Sequence, residues 1–355
     1  MKFFPAKIFS LIFLAFVLSI NSLSAQDVAL ALPNPDSIKV SEEDQAEHEI
    51  TLYAMPTLYP LDWNSPASLY KSMKDCFIKS RNVKDNYLLG HLAVKIKSTL
   101  LEAPMLFAMT AANKWERINL VLKEKIGFGI MGYPLEGRLE TEQELNRKLA
   151  IYAKREKLAF ITYKINETAA KRMISFMKEI SSTKEDNKAA CNYYGGAFWP
   201  RFENEGSGCS AMGMALLDVA NLLPPEADEW LVKVNIPMHV IGGGLNGGKR
   251  IKNSAIKKTN MWYEGDGVPN VDYVYYQIYE PSIMFDWIKE KREQISTVFK
   301  NVENDGAPGL YVDCTRKTVN DSLPLLAKRT RPDKFIDYYF QKRGIKTNYE
   351  VDLNR

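Results

Sequence analysis

The sequence is short of the residues that build most metal sites. Its 355 residues include three histidines and four cysteines, and no two of the cysteines form a CxxC pair. These counts exclude a histidine-rich metal site and a zinc ribbon or finger. We therefore expect neither a bound metal nor a cofactor.

The chain also lacks a strong excess of charge. It has 47 Lys and Arg residues against 43 Asp and Glu residues, a formal net charge of +4, and both signs are spread along the sequence. Nucleic-acid-binding proteins cluster their basic residues, so we expect no nucleic-acid partner. The 46% of apolar residues is typical of a folded globular protein with a large core.

Long apolar runs are missing after the N-terminus. Lys2 and Lys7 precede the run Ile8–Ile20, and small residues follow it at Ser22–Ala25. The run spans about 13 residues, fewer than the ~20 that a membrane-spanning helix needs. The pattern predicts a signal peptide over residues 1–25, cleaved near Ala25. It predicts a periplasmic or secreted mature protein without a transmembrane segment.

The rest of the sequence favours one α+β domain. Residues 26–48 are polar and read as a flexible leader, residues 49–254 form the domain, and residues 255–355 form a C-terminal extension packed on it. The predicted strands are Ile50–Tyr53, Gly90–Ile96, Met105–Met109, Ala159–Ile165 and Trp230–Ile241. The predicted helices are Ser65–Ile78, Glu140–Lys154, a helix capped by Asn166, one that begins at Cys209, Ile283–Phe299 and Asp333–Arg343.

Cys209 has the sequence context of a reactive thiol. Gly206 and Gly208 precede it, and an apolar helix begins directly after them. The N-terminus of a helix stabilises a thiolate, and its free N–H groups can hold an oxyanion. The alternatives are a small residue packed at the helix start or half of a disulfide. The four cysteines could form two disulfides after export, and Cys191 is the nearest partner along the chain.

A thiol nucleophile needs an imidazole close to it. His91 opens a predicted strand directly after Gly90, and His239 lies on another predicted strand. His48 lies at the end of the polar leader. The residue pattern alone leaves His91 and His239 as competing partners of Cys209.

Two segments resemble a family of cysteine hydrolases. Tyr194-Gly195-Gly196, followed by Gly208-Cys209-Ser210 at the head of an apolar helix, looks like the nucleophile segment of NlpC-type peptidases, a branch of the papain-like superfamily. In the circularly permuted branch, which includes YiiX-like proteins and relatives of lecithin:retinol acyltransferase, the histidine strand precedes the cysteine helix. Gly90–Val94 resembles that strand, and Ala159–Ile180 resembles the segment before the permuted cysteine.

The resemblance implies a papain-like, permuted NlpC-type fold, in which an antiparallel sheet packs against a helix that carries the cysteine at its N-terminus. It favours His91 as the partner of Cys209, with Thr110 as the polar residue that orients the histidine and Tyr194 as an oxyanion donor. Gly208 stands where the family commonly has Asp. His239 also lies in a strand similar to the family's His-Val pattern.

The expected function is an exported thiol-dependent hydrolase of the peptidase or amidase type, or an acyltransferase. Its substrate would contain an amide or ester bond in a peptide or acyl compound, and export suggests cell-wall peptides. The alternative is a catalytically inert binding or structural protein that retains the same fold. The altered motif at Gly208 and the weak orienting group at Thr110 favour that alternative.

Overall fold

The computed structural model describes residues 47–80, 82–83, 87, 89–183 and 188–345. The predicted signal peptide lies outside the described residues, and so does the predicted leader except for its last two residues. The second of these, His48, already belongs to a strand. It is buried there, with Nδ1 2.7 Å from Oγ of Ser98.

The chain alternates strands and helices along most of the described length. The strands are β1 (His48–Met55), β2 (His91–Lys97), β3 (Met105–Phe107), β4 (Met109–Ala111), β5 (Leu135–Leu139), β6 (Ala159–Ile165), β7 (Tyr193–Tyr194), β8 (Leu231–Pro237), β9 (Tyr273–Tyr279), β10 (Lys300–Asn304) and β11 (Ala307–Asp313). The α-helices are α1 (Pro66–Ser80), α2 (Lys114–Asn119), α3 (Glu142–Lys154), α4 (Glu167–Ser181), α5 (Cys209–Val219), α6 (Asn253–Lys258), α7 (Pro281–Arg292) and α8 (Lys334–Arg343).

The largest sheet has six strands in the order β10-β11-β6-β1-β2-β3. Its pairs are antiparallel except that β11 runs parallel to β6. The chain between β6 and β11 is long and contains several helices, including α7. A connection of this length allows β11 to run parallel to β6, which a short hairpin would not. The α+β prediction is confirmed, but the sheet is mixed rather than antiparallel throughout. The C-terminal segment contributes two strands to this sheet.

Both faces of the six-stranded sheet carry apolar side chains, because successive side chains of each strand point to opposite faces. Leu52, Val94 and Ile161 lie on one face and pack against α4, α5 and α7. Tyr53 and Phe160 lie on the other face and pack against α3. The larger core therefore holds α5, the helix that begins at Cys209.

Helix α5 lies close to β2 because a glycine faces the strand. A Cβ at Gly213 would come 2.5 Å from Cδ2 of Leu92, so with any larger residue the leucine side chain or the helix would have to shift. The helix is buried on nearly every side. The close approach brings its first residue, Cys209, to the beginning of β2.

The remaining strands of the described residues form two smaller sheets. One has the order β4-β5-β7, and the other consists of β8 and β9. The predicted strand Met105–Met109 divides between sheets, since β3 pairs with β2 while β4 pairs with β5. Hydrogen-bonding partners outside the segment decide this division.

Several predicted limits differ from the structure. The strand predicted to reach Ile241 ends at Pro237, and a 3₁₀ turn follows over Met238–Val240, in which the Ile241 N–H donates to the Met238 carbonyl at 3.1 Å. The helix predicted to reach Phe299 ends at Arg292. The helix predicted from Glu140 begins at Glu142, because Thr141 is its N-cap. Within the described residues, no helix has both the length and the apolar character to cross a membrane.

Candidate active site

Cys209 is the first residue of α5 and is 8% exposed. Backbone N–H groups of Leu92 and Ser210 donate hydrogen bonds to its sulfur. Leu92 belongs to β2, so the strand and the helix both supply donors to one thiol. Such donors favour the charged form of a sulfur over the neutral form.

His91 is the first residue of β2 and hydrogen-bonds to the Cys209 sulfur. Gly90 precedes it with φ +71°, a left-handed conformation that favours glycine, and a Cβ there would meet the Met55 carbonyl oxygen at 3.1 Å. The turn at Gly90 therefore sets the direction in which β2 starts. It leaves the imidazole 2% exposed beside the thiol.

The imidazole has a second partner in Glu140, which lies between β5 and α3. The His91 Nε2 atom is 2.6 Å from Glu140 Oε2, and the carboxylate is 1% exposed. The Glu140 N–H donates to the Ala108 carbonyl at 2.9 Å, which holds the residue beside the β3–β4 junction. Cys209, His91 and Glu140 thus form one hydrogen-bonded line of thiol, imidazole and carboxylate.

Two further side chains hold the carboxylate in place. The Tyr87 hydroxyl donates to Glu140 Oε1 at 2.8 Å, and Lys148 Nζ is 2.8 Å from the same oxygen. The Tyr87 ring also stacks on the His91 ring, with centroids 3.8 Å apart. Both carboxylate oxygens are therefore engaged, and the imidazole plane is fixed by a stacked ring.

The charges in this line stabilise one another. Burial alone would raise the pKa of Cys209, but the positive His91 ring and its hydrogen bond bring that pKa below its ordinary value. Burial also opposes a charged His91, yet Cys209 and then Glu140 raise its pKa to about 9. Burial is likewise outweighed at Glu140, where His91 and Lys148 lower the pKa to about 2. Together these shifts favour the charged form of each group, the thiolate, the imidazolium and the carboxylate.

Tyr194 is the residue of the Tyr-Gly-Gly motif that reaches the sulfur. It belongs to β7, and a bridge to Ser207 brings the two ends of the intervening loop together beside Cys209. Its hydroxyl hydrogen-bonds to Cys209. Burial and the negative sulfur keep the pKa of Tyr194 well above its ordinary value, so the hydroxyl remains a donor.

A cavity of about 360 Å³ opens beside the sulfur. Cys209 and the following residues Ser210 and Ala211 form part of its wall. Much of the remaining wall is aromatic and comes from Tyr194, Phe198, Trp199, Phe202, Tyr275, Tyr276 and Tyr279. A substrate carbonyl can therefore approach the sulfur from a partly open and mostly apolar cavity.

The competing histidine lies elsewhere. His239 is exposed on the 3₁₀ turn, with Nε2 2.9 Å from the Thr259 hydroxyl. Thr110, expected to orient the histidine, lies in β4 opposite Arg138, and Glu140 is the group bonded to His91. The expectation for Thr110 fails because β4 leaves the main sheet for the sheet of β5.

None of the four cysteines, all of which lie in the described part of the chain, forms a disulfide. The alternative of a disulfide between Cys191 and Cys209 is therefore not found. Burial raises the pKa of Cys76, Cys191 and Cys314 above the ordinary value of a thiol. Cys209 is also buried, but its pKa is lowered because His91 outweighs the effect of burial.

Glu140 is the site residue that sequence reasoning misses, because the sequence pattern places it at the start of a helix. The signal that separates it from the helix is local. Thr141 and Glu144 form a capping box, in which the Thr141 side chain accepts from the Glu144 N–H. This pattern places Glu140 before the helix, where its carboxylate is available for a tertiary contact.

Comparison of the chain with protein-family models, with curated proteins and with solved structures finds no match in any of the three. The interpretation of the site therefore depends on its geometry and its chemistry.

Proposed function

We propose that this protein is a thiol-dependent hydrolase or acyltransferase that acts on an amide or ester bond. The observation that carries the proposal is the buried line from Cys209 through His91 to Glu140, at the N-terminus of a helix and open to a cavity. We also propose the permuted papain-like fold and export to the periplasm or the exterior, on the motifs around Cys209 and the pattern of residues 1–25.

In the first half of the reaction, the Cys209 thiolate attacks the substrate carbonyl carbon, and the carbonyl π electrons move to oxygen. The Tyr194 hydroxyl and N–H groups at the start of α5 stabilise this oxyanion. The intermediate collapses by breaking the bond to the leaving nitrogen or oxygen, which takes the proton of His91. The product on the enzyme is a thioester of Cys209.

In the second half, His91 removes a proton from water or from an acceptor alcohol or amine as that nucleophile attacks the thioester. The Cys209 thiolate then leaves, and the resting state returns with His91 protonated. Glu140 stays ionised and holds the imidazole in position during both halves. Water gives hydrolysis, and another acceptor gives acyl transfer.

Selective alkylation tests the proposal. Iodoacetamide at neutral pH should label Cys209 ahead of Cys191, although Cys191 is the more exposed thiol, because only Cys209 carries a stabilised thiolate. His91→Ala should slow labelling of Cys209 by about 10-fold or more, since one pKa unit changes the thiolate population tenfold. Peptide mass mapping over a time course gives the rate for each cysteine.

The matched control for that variant is His239→Ala, which removes an exposed histidine bonded to Thr259. It should leave the labelling rate of Cys209 unchanged. Labelling in order of exposure, with Cys191 first and no effect of His91→Ala, would favour the inert binding or structural protein instead.

The pH dependence of turnover follows from the same two groups. Hydrolysis of p-nitrophenyl acetate should require Cys209 ionised and His91 protonated. As pH increases, the rate should rise with a midpoint below the ordinary pKa of a cysteine, because the pKa of Cys209 is lowered. The rate should fall again as pH passes about 9, where His91 loses its proton. A profile of kcat/KM against pH measures both limbs. A basic limb near the ordinary pKa of histidine would contradict the proposed ion pair.

A further inference from the structure

Strand β9 has one edge that no strand covers. It pairs with β8 on one side, and these two strands form a sheet of their own. An uncovered edge presents backbone N–H and C=O groups that can bind another extended chain.

The register of the pair identifies the groups. On β8, the Asn235 carbonyl accepts from the Tyr263 N–H at 2.9 Å, so the backbone of Asn235 points away from β9. Asn235 is opposite Tyr275, which makes this a pair without mutual hydrogen bonds. Because such pairs alternate, the backbone groups directed to the free edge of β9 belong to Tyr275, Gln277 and Tyr279.

Hydrogen bonds at the ends of the ladder agree with this register. The Glu280 N–H donates to the Trp230 carbonyl at 2.9 Å, and the Met238 N–H donates to the Asp272 carbonyl at 2.8 Å. Both bonds fall at the alternate, bonded positions. Among the described residues, none bonds to the outward backbone groups of residues 275, 277 and 279.

The cavity beside Cys209 runs along this edge. Every residue from Tyr275 to Tyr279 lines it, without a gap. A cavity against one face of a strand would be lined by alternate residues, because successive side chains point to opposite faces. Five consecutive residues therefore indicate that the cavity follows the edge of β9, with the sulfur of Cys209 in the same space.

We propose that the free edge of β9 binds the substrate as an added strand, and that the substrate is an extended peptide whose scissile amide lies at Cys209. This inference rests on the proposed function and narrows it from amides and esters to peptides. The edge from residue 275 to residue 279 is about 13 Å long at ~3.3 Å per residue, enough for about four peptide residues. The aromatic wall opposite, including Phe198 and Trp199, selects apolar side chains.

The backbone groups decide between a peptide and a fatty acyl chain. A peptide alternates donors and acceptors with the same period as β9 and can satisfy the edge. An acyl chain in the same space would displace water and leave these groups without hydrogen bonds, which opposes binding. The chemistry of the edge therefore favours a peptide.

Backbone methylation of a probe tests the inference on the unaltered protein. The probe is an N-acetyl tetrapeptide of apolar residues that carries a C-terminal vinyl sulfone, and the readout is its rate of addition to Cys209. N-methylation of each amide in turn should slow labelling in an alternating pattern. Methylation at every second position should lower the labelling rate roughly 3- to 10-fold, which is the effect of one lost hydrogen bond. Methylation at the other positions should change the rate little. A flat series, or no advantage over N-acetyl-alanine vinyl sulfone, would overturn the inference.

A change in the strand provides the second test. Gln277→Pro removes one outward N–H without removing a rung between β9 and β8, and Gln277→Ala keeps that N–H while losing the same side chain. We expect the proline variant to label several-fold more slowly with the peptide probe than the alanine variant does, because the two differ in the outward N–H and share the loss of the side chain. Equal rates for the two folded variants would contradict the inference. If the proline variant does not fold, the methylation series decides.

Iodoacetamide separates the two proposals. It is too small to use the edge, so it reports the thiolate alone. Selective labelling of Cys209 with a flat methylation series would reject the peptide edge and keep the thiol chemistry. Loss of that selectivity would reject the proposed function, on which the edge inference depends.

Discussion

Glutamine in place of Glu140 is expected to slow hydrolysis of p-nitrophenyl acetate by roughly 10²-fold or more, the range of a disrupted general acid–base pair. The side chain keeps its size and an acceptor oxygen for Tyr87, but it loses the charge that faces His91 at 2.6 Å. The buried imidazolium then faces a neutral amide instead of a carboxylate. Its pKa falls, and the thiolate of Cys209 loses stabilisation with it.

The pH profile distinguishes this effect from a general loss of structure. The basic limb of kcat/KM should move from about 9 toward lower pH in Glu140→Gln, because Glu140 is one of the groups that raise the pKa of His91. Glu144→Gln is the matched control. Its carboxylate caps α3 and pairs with Arg138, so the limb should stay in place. An unshifted limb in Glu140→Gln would show that the carboxylate does not act through His91.

Removal of Arg329 should cause the largest loss of stability. Its guanidinium binds both carboxylate oxygens of Glu205, which is 0% exposed and also accepts from the Trp199 N–H at 3.1 Å. Arg329→Met would leave this carboxylate buried without its cation, a change that typically costs about 3–5 kcal/mol. Urea unfolding followed by circular dichroism at neutral pH measures the difference.

The sign of the pH dependence follows from Glu205. Burial raises its pKa above 4.5 even beside Arg329, and the variant raises it further. A group with a raised folded pKa loses its contribution as pH increases through that value. The deficit of Arg329→Met should therefore be smallest in acid and largest at neutral pH.

A double variant checks the assignment. Glu205→Gln combined with Arg329→Met removes both charges and should recover most of the lost stability, because no unpaired charge remains. A deficit that is independent of pH, or a double variant no better than the single one, would contradict this account. The pair matters for the site because Trp199 and Phe202 line the cavity and the Arg329 guanidinium lies 4.1 Å from the Phe202 ring centroid.

Local pattern predicted much of the secondary structure. Strand β6 has the predicted limits Ala159–Ile165, and Asn166 caps α4 by accepting from the Ala169 N–H. Gly344 ends α8 in the left-handed conformation. In each case the deciding interaction lies within a few residues along the chain, so the sequence carries the information directly.

Partners distant along the chain could not be predicted in this way. His91 and Glu140 are 49 residues apart, and the local sequence pattern identifies Glu140 only as the first residue of a helix. The apolar run Met105–Met109 predicts one strand, and a single strand there would place Thr110 beside His91. The division of that run between two sheets removed Thr110 from the site and brought β5, followed by Glu140, toward it.

The sequence by itself determined an α+β chain with a thiol at the first turn of an apolar helix, since spacing, glycines and caps act over short distances. It also supplied, through the motif resemblance, His91 as the partner of that thiol. Only the tertiary structure decided which carboxylate faces the imidazole, that His239 is remote, and that the edge of β9 borders the cavity. These depend on how strands pair and helices pack, and the free energy of such contacts is shared among residues far apart in the chain.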